Sequence, residues 1–444
     1  MRTDKVTVVS GPVSAHVFDV PATRASGGTT RLYVFGDEHH SYDNLCSPCE
    51  AADGCVDIVQ FVRAAVAEAN EGGGGGLDVM MEMPYVMKDG RMRREWLARL
   101  DAIMRASDPV GLMGSSKSKA ASKATSRWRR LLSGGAWAQL PLLTPSNVAR
   151  VMGDSPRYIG VFSQLYFEFR DDLYDDEVKK RRGGGERVRF HYCDTRHEPN
   201  VVRLLPTIDP AGFRRTMRSS AQVRELLLAF LFSLDFSADV QRIMGAELNP
   251  TGRAALSDGV HKIAKQYHAL PEGAIKDAVR RCLTDRVDAA ARVLTLELGF
   301  DLGDAGDVGD VGDVGDVGNV TDGRTASRTA SRTTLPYGGW LAAMRGYRSQ
   351  YFDAFFPIVM DSTVRLLLMD AYLICRLLRF CEPGGTAIVY AGDMHAEYYV
   401  AFLQDYLGLK PLVCSKNADD GTAVRCVSLL RDGRVCRPVS AVSV

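Results

Sequence analysis

Two short motifs that each end in histidine have residue types that activate water or bind a metal ion. Asp37, Glu38, His39 and His40 directly follow the apolar run LYVFG. His395 closes a similar motif, AGDMH, after the apolar run TAIVY, and His39 and His395 each stand three residues after a glycine. An imidazole can act as a general base near neutral pH or ligate a metal ion. The two motifs therefore predict one shared site that contains His39 and His395.

A third candidate, Glu82, lies inside an apolar run. It interrupts LDVMMEMPY just before a proline. A charged side chain in such a segment is costly to bury unless it is paired. Two interpretations remain open: a buried ion pair with one of the arginines, or a metal ligand or general base with a raised pKa.

Further polar residues stand next to these motifs and are predicted to line the same pocket. The apolar run RVRFHYC is followed by Asp194 and Arg196, and Asp393 precedes His395. Arg196 could clamp an anion, or it could pair with Asp194 and lock the end of the strand. His40 is a weaker candidate than His39, because adjacent residues of an extended chain point to opposite sides.

Three cysteines follow the first motif closely. Cys46, Cys49 and Cys55, together with one imidazole, would satisfy a tetrahedral zinc ion. The sequence has no second Cys-x-x-Cys and no spaced histidine pair to complete such a site. A redox-active Cys-x-x-Cys is the other interpretation.

The elements that must position these residues are short apolar strands separated by amphipathic helices. Residues 56–70 have helical spacing and stand between two strand-like runs, which predicts a βαβ unit with parallel strands. Gly36 is predicted to end the first strand, and a helix is predicted to begin after His395. Ligands bind beyond the carboxyl ends of such strands. The predicted fold class is α/β, with a mixed, mostly parallel sheet flanked by helices and a large helical insertion.

Four segments follow from the pattern along the chain. Residues 1–205 and 336–444 are predicted to be the two halves of the α/β core, and residues 206–300 a helical insertion. Residues 301–335 repeat Gly-Asp-Val and Thr-Ala-Ser-Arg, which predicts a disordered linker. Residues 338–380 are predicted to form two helices with a break at Pro357, the second of them buried.

Composition excludes several classes of function. The net charge of +1 argues against a nucleic-acid partner. No apolar run is long enough to span a membrane, and the first residues lack the apolar stretch of a signal peptide. Ten scattered cysteines fit reduced thiols, so a cytoplasmic protein is expected. Nucleophile-elbow, Walker A and His-Glu-x-x-His motifs are missing.

The ordered set of motifs around His39, Glu82 and His395 resembles the erythromycin-esterase / ChaN / TraB–TIKI-like superfamily. This resemblance implies an α/β fold in which the three residues line one pocket. In hydrolytic relatives, the matching histidine and glutamate activate water directly or through a divalent metal. Acid–histidine strand ends with a cysteine-rich loop also resemble open reading frames of large DNA viruses that infect protists. That likeness implies a location in the host cytoplasm or the virion.

The leading hypothesis is a hydrolase of ester or peptide bonds, with a small-molecule or peptide substrate. His39, Glu82 and His395 are the candidate catalytic residues. A divalent ion such as zinc or manganese is a possible cofactor, and its candidate ligands are Asp37, Glu38, His39, Glu82 and His395. The alternative is a catalytically inactive binding or structural protein on the same fold, such as a virion or host-interaction component.

Overall fold

The structure is a computed structural model that describes part of the 444-residue chain. The described residues are 3, 6–23, 27–37, 55–71, 75–84, 94, 97–98, 100–101, 160–174, 187–195, 219–244, 263–297, 352–416 and 426–429. The predicted linker at 301–335 lies outside them.

Strands form two sheets in this part of the chain. The strands are β1 (Val8–Ser10), β2 (Ser14–Pro21), β3 (Thr29–Asp37), β4 (Cys55–Asp57), β5 (Leu77–Pro84), β6 (Val188–Asp194), β7 (Thr386–Gly392), β8 (Val413–Lys416) and β9 (Cys426–Ser428). The smaller sheet has the order β4-β1-β9 and the larger one the order β6-β5-β7-β3-β2-β8.

Helices lie between and after these strands. They are α1 (Ile58–Glu71), α2 (Gly160–Tyr174), α3 (Ser220–Phe232), α4 (Phe236–Met244), α5 (Ala274–Glu297), α6 (Phe352–Phe380) and α7 (Asp393–Ala401). A short helical segment covers 263–268, and a π-helical turn at Phe402–Tyr406 follows α7. No helix among the described residues is long and apolar enough to cross a membrane.

The larger sheet is mixed and mostly parallel. Strands β6, β5, β7 and β3 are parallel neighbours, and β2 is antiparallel to both β3 and β8. Helices cover both faces, which confirms the predicted α/β class. The parallel strands place the carboxyl ends of β3, β7 and β5 side by side.

The late strand β7 lies between β3 and β5, although both of those precede it by hundreds of residues. Strand β4, which directly precedes α1, belongs to the smaller sheet, and β7 separates β3 from β5, so α1 does not connect two neighbouring parallel strands as it would in a simple βαβ unit. Six consecutive residues of β7 are buried. A strand that is apolar on both faces suits a central position in a parallel sheet, which explains why β7 occupies it.

An apolar core lies on each face of the larger sheet. On one face, Leu32, Val34, Met80 and Val389 pack against α3–α7. On the other face, alternate residues of the same strands pack against α1 and α2. The described helices of the predicted 206–300 insertion, α3 to α5, thus belong to the layer that covers the first face.

Helix α6 continues through Pro357, so the predicted break there is wrong. Proline removes one backbone hydrogen bond, and here the loss falls near the beginning of a helix of 29 residues. The predicted burial of the later part is confirmed, since nearly every residue from 366 to 378 is buried. That burial stabilises the helix far more than one missing bond weakens it.

Asp78 and His191 form a buried polar network at the amino-terminal part of β5 and β6. Asp78 Oδ1 lies 2.8 Å from His191 Nε2, and Arg189 forms two hydrogen bonds of 2.7 Å with the same carboxylate. Arg376 Nε donates to His191 Nδ1 at 3.0 Å. Because arginine only donates, Nδ1 must accept, and Nε2 carries the hydrogen. Burial lowers the pKa of His191 to about 4, against the opposing effect of Asp78.

We expect this network to make stability depend on pH. Between pH 6.5 and about 4, the unfolded chain binds a proton at His191 that the folded chain does not. The free energy of unfolding therefore has its full value above pH 6.5. It falls by roughly 3 kcal/mol as the pH falls toward 4, because the pKa of His191 is about 4 in the folded chain. Urea unfolding at about pH 7 and about pH 4.5 measures it.

The matched control is His191→Gln, whose amide can accept from Arg376 and donate to Asp78 without titrating. This part of the pH dependence should disappear in the variant. Burial also lowers the pKa of His16 to about 4, but His16 is present in both proteins and cancels in the difference. Equal pH dependence of the two proteins would contradict the assignment to His191.

Candidate functional site

Glu82 lies near the carboxyl end of β5, where the pairing of β5 with β6 changes register between Met81 and Pro84. Such irregularities commonly redirect a side chain beside a functional site. Glu82 is buried, and its Oε2 accepts a 2.6 Å hydrogen bond from the backbone N–H of Gly392. The carboxylate therefore links β5 to the junction of β7 and α7.

His395 lies in the first turn of α7. The helix begins at Asp393, earlier than predicted, because β7 ends at Gly392 and the chain turns directly into the helix. His395 Nδ1 lies 2.6 Å from Asp370 Oδ1, and its Nε2 lies 3.8 Å from Glu82 Oε1. The imidazole thus stands between a carboxylate of helix α6 and a carboxylate of strand β5.

Asp370 is the most deeply buried of these groups. Its Oδ1 also accepts a 3.0 Å hydrogen bond from the Tyr399 hydroxyl, and its Oδ2 forms an ion pair with Arg286. Burial alone would raise the pKa of Asp370, but the charge of Arg286 and the hydrogen bond with His395 hold that pKa below its usual range. An ionised carboxylate only accepts, so Nδ1 of His395 carries the hydrogen and Nε2 faces Glu82.

The separation of Glu82 and His395 suits a bridging atom. At 3.8 Å, Nε2 and Oε1 are too far apart for a direct hydrogen bond. A water molecule about 2.8 Å from each atom would contact both, and so would a metal ion about 2.1 Å from each. Within the described residues, no group of three or more histidine, cysteine, aspartate or glutamate side chains could hold a metal ion.

The carboxyl end of β3 lies next to the same junction. Asp37 is buried and is the register partner of Gly392. The strand continues through Gly36 to Asp37, so the prediction that Gly36 ends it is wrong. Gly36 instead provides space: a Cβ there would overlap both Ser14 Oγ and Asp393 Oδ1.

Two other predicted pocket residues lie at neighbouring strand ends. Asp393 accepts a hydrogen bond from Ser14 of β2, and its carboxylate lies 3.3 Å from the Lys416 ammonium of β8. Both of these partners therefore belong to the antiparallel strands of the sheet. Asp194 is buried at the end of β6, opposite Pro84 of β5.

The remaining predicted residues divide into two groups. Cys55 lies on β4 in the smaller sheet, paired with Val8. The others lie outside the described residues, and their roles stay predictions: Glu38, His39, His40, Cys46, Cys49 and Arg196.

The sequence interpretation missed Asp370, Arg286 and Tyr399. A signal for Asp370 was present, since it is the one acid in the apolar run VRLLLMDAYLICRLL. The argument that singled out Glu82, that a charge in an apolar segment needs partners, applies equally to Asp370. Nothing comparable marks Arg286, because α5 contains several arginines.

No family model, curated protein or solved structure matches this chain.

We expect Gly36→Ala to lower the free energy of unfolding by about 1–3 kcal/mol, the usual range for an overpacked site. The added methyl group must displace both Ser14 and Asp393. Denaturant unfolding of the single variant against the parent protein measures the change.

The double variant Gly36→Ala/Ser14→Ala tests the cause. Ser14→Ala alone should cost about 1 kcal/mol through its lost hydrogen bond. Because it also removes one of the overlapping atoms, the added methyl group should cost less in its presence. Strictly additive effects would show that the Ser14 overlap is not what requires glycine.

Proposed function

We propose that this chain is a hydrolase of ester or peptide bonds, with His395 as general base and Glu82 as the group that orients water. One observation carries the proposal: Glu82 Oε1 and His395 Nε2 face each other at 3.8 Å, near the carboxyl ends of parallel strands. Ligands of open α/β sheets bind at that edge.

The proposed step begins with a water molecule between the two groups. Glu82 Oε1 accepts one hydrogen bond from this water, and His395 Nε2 removes the other proton as the oxygen attacks the substrate carbonyl. The imidazolium then gives that proton to the departing alkoxide or amine. The products are a carboxylic acid and an alcohol or amine, and the imidazole returns to its starting state.

Both side chains have the rigidity that such a step requires. Glu82 is held through Oε2 by the backbone of Gly392, which leaves Oε1 directed toward His395. His395 is held through Nδ1 by Asp370. Fixed dipoles in a site that largely excludes water act more strongly than they would in solvent.

A divalent ion such as zinc or manganese belongs to the proposal as a possible cofactor. Glu82 Oε1 and His395 Nε2 are suitable donor atoms, with Asp37, Glu38 and His39 as the remaining predicted ligands. Such an ion, when bound, would lower the pKa of its bound water toward neutrality.

The competing proposal is a binding or structural protein on the same fold. What favours it is burial, since Glu82 and His395 are each only 7% exposed. Buried networks of this kind can also hold a fold together without catalysis. The two proposals differ in what substitution at the site should change.

We expect His395→Gln and Glu82→Gln each to lower kcat by about 100-fold or more, the range for loss of a positioned acid–base group. A panel of p-nitrophenyl esters and fluorogenic peptides, assayed with and without zinc, manganese and chelator, provides the substrates. The control variant is His268→Gln, since the exposed His268 lies outside the site and bonds to the Phe232 carbonyl.

Two outcomes would count against a hydrolase. One is folded parent protein without turnover of any panel member under any metal condition. The other is turnover that survives both substitutions at the level of His268→Gln, which would assign the activity to other residues or to a contaminant.

A further inference from the structure

We propose that Asp370 is the positioning residue of His395, and that Arg286 orients Asp370 from the helical layer. The proposal rests on the proposed function for its role in turnover. Its structural content, the tautomer and orientation of one imidazole, can be measured without any substrate.

Three helices meet at the Asp370 carboxylate. Asp370 belongs to α6, Arg286 to α5, and His395 and Tyr399 to α7. Its Oδ1 accepts from His395 Nδ1 at 2.6 Å and from Tyr399 at 3.0 Å, and its Oδ2 faces Arg286. Both oxygens of the carboxylate thereby have a partner, so it cannot rotate without losing a contact.

Arg286 is itself held in place. Its guanidinium lies 3.8 Å from the centre of the Tyr398 ring, and the Tyr398 hydroxyl lies 3.1 Å from Cys282 Sγ. Only 9% of the Arg286 side chain is exposed. A fully buried ion pair adds little net stability compared with apolar residues of the same volume, so its more specific effect is to fix orientation.

The orientation matters because the two imidazole nitrogens have different neighbours. With the hydrogen on Nδ1, the nitrogen nearest Glu82 can accept a proton. With the hydrogen on Nε2, it cannot. The ionised Asp370 enforces the first tautomer, since it can accept a hydrogen bond from Nδ1 but cannot donate one.

Asp370→Asn should reverse that tautomer. Arg286 only donates, so it should attract the amide oxygen of the new asparagine and leave the amide NH₂ facing His395. Nδ1 must then accept, and Nε2 carries the hydrogen. We expect kcat to fall about 100-fold or more with little change in KM, because the base is lost and substrate binding is not.

The double variant Asp370→Asn/Arg286→Met provides the rescue. Without the guanidinium, the amide oxygen is available to accept from Nδ1, and no arginine is left buried beside a neutral amide. The original tautomer and part of the lost kcat should return. A merely structural role for Asp370 predicts the opposite, since the second substitution would add to the damage.

Long-range ¹H–¹⁵N NMR spectra of protein labelled at histidine report the tautomer, with His395→Gln to assign the signal. The matched control is Asp78→Asn, which disturbs the buried pair of Asp78 and His191 and should leave both the His395 signal and kcat unchanged.

An unchanged tautomer in Asp370→Asn would overturn the proposal, as would a loss of kcat no larger than that of Asp78→Asn. If the single variant does not fold, the double variant decides, because it must show hydrogen on Nδ1. If the parent protein turns over no substrate, a tautomer switch would still support Asp370 as the positioning residue, and only the hydrolase proposal would fail.

Discussion

The burial of carboxylates between the sheet and its helical layer is the constraint on which the described structure depends. Glu82 lies in an apolar strand and Asp370 in an apolar helix. Carboxylates in such places are tolerated only where donors satisfy them. The backbone N–H of Gly392 donates to Glu82, while Asp370 accepts from His395 and forms an ion pair with Arg286. Because these donors come from β7, α5 and α7, satisfying two carboxylates fixes the relative positions of five elements.

The order of the sheet makes this possible. Strand β7 lies between β3 and β5, so the turn from Gly392 into α7 comes within reach of both neighbouring strand ends. The absence of a side chain at Gly36 lets Asp393 approach β2. The first turn of α7 is thereby held on one side by Ser14 and on the other by Glu82, through the N–H of Gly392. These two contacts also fix the position of His395, which lies in the same turn.

Much of this arrangement could be predicted from sequence, because it depends on local pattern. Apolar runs predicted the strands. Because parallel strands end at the same edge of a sheet, the polar residues at their carboxyl ends, including Glu82 and His395, were predicted to lie together. Contacts between distant segments could not be predicted in the same way. Asp370 and Arg286 are 84 residues apart, and only packing of α5 on α6 reveals that they pair. The sequence also did not reveal that Gly36 makes room for Ser14 and Asp393, because a glycine after an apolar run is typical of a turn as well.

Two buried Asp–His pairs lie within the described part of the chain, and the partner of the second ring nitrogen distinguishes them. In the pair of Asp78 and His191, Arg376 donates to the ring, so both ring nitrogens are hydrogen-bonded and the positive charge opposes protonation of the imidazole. An arginine contacts the carboxylate in both pairs, Arg189 at Asp78 and Arg286 at Asp370, so the pairs differ at the second ring nitrogen, which in His395 is Nε2. The ring then presents its second nitrogen to Glu82 at a distance that fits a bridging water. Aspartate, histidine and arginine thus join strands β5 and β6 to helix α6 around His191. Around His395, the same residue types orient the imidazole toward Glu82.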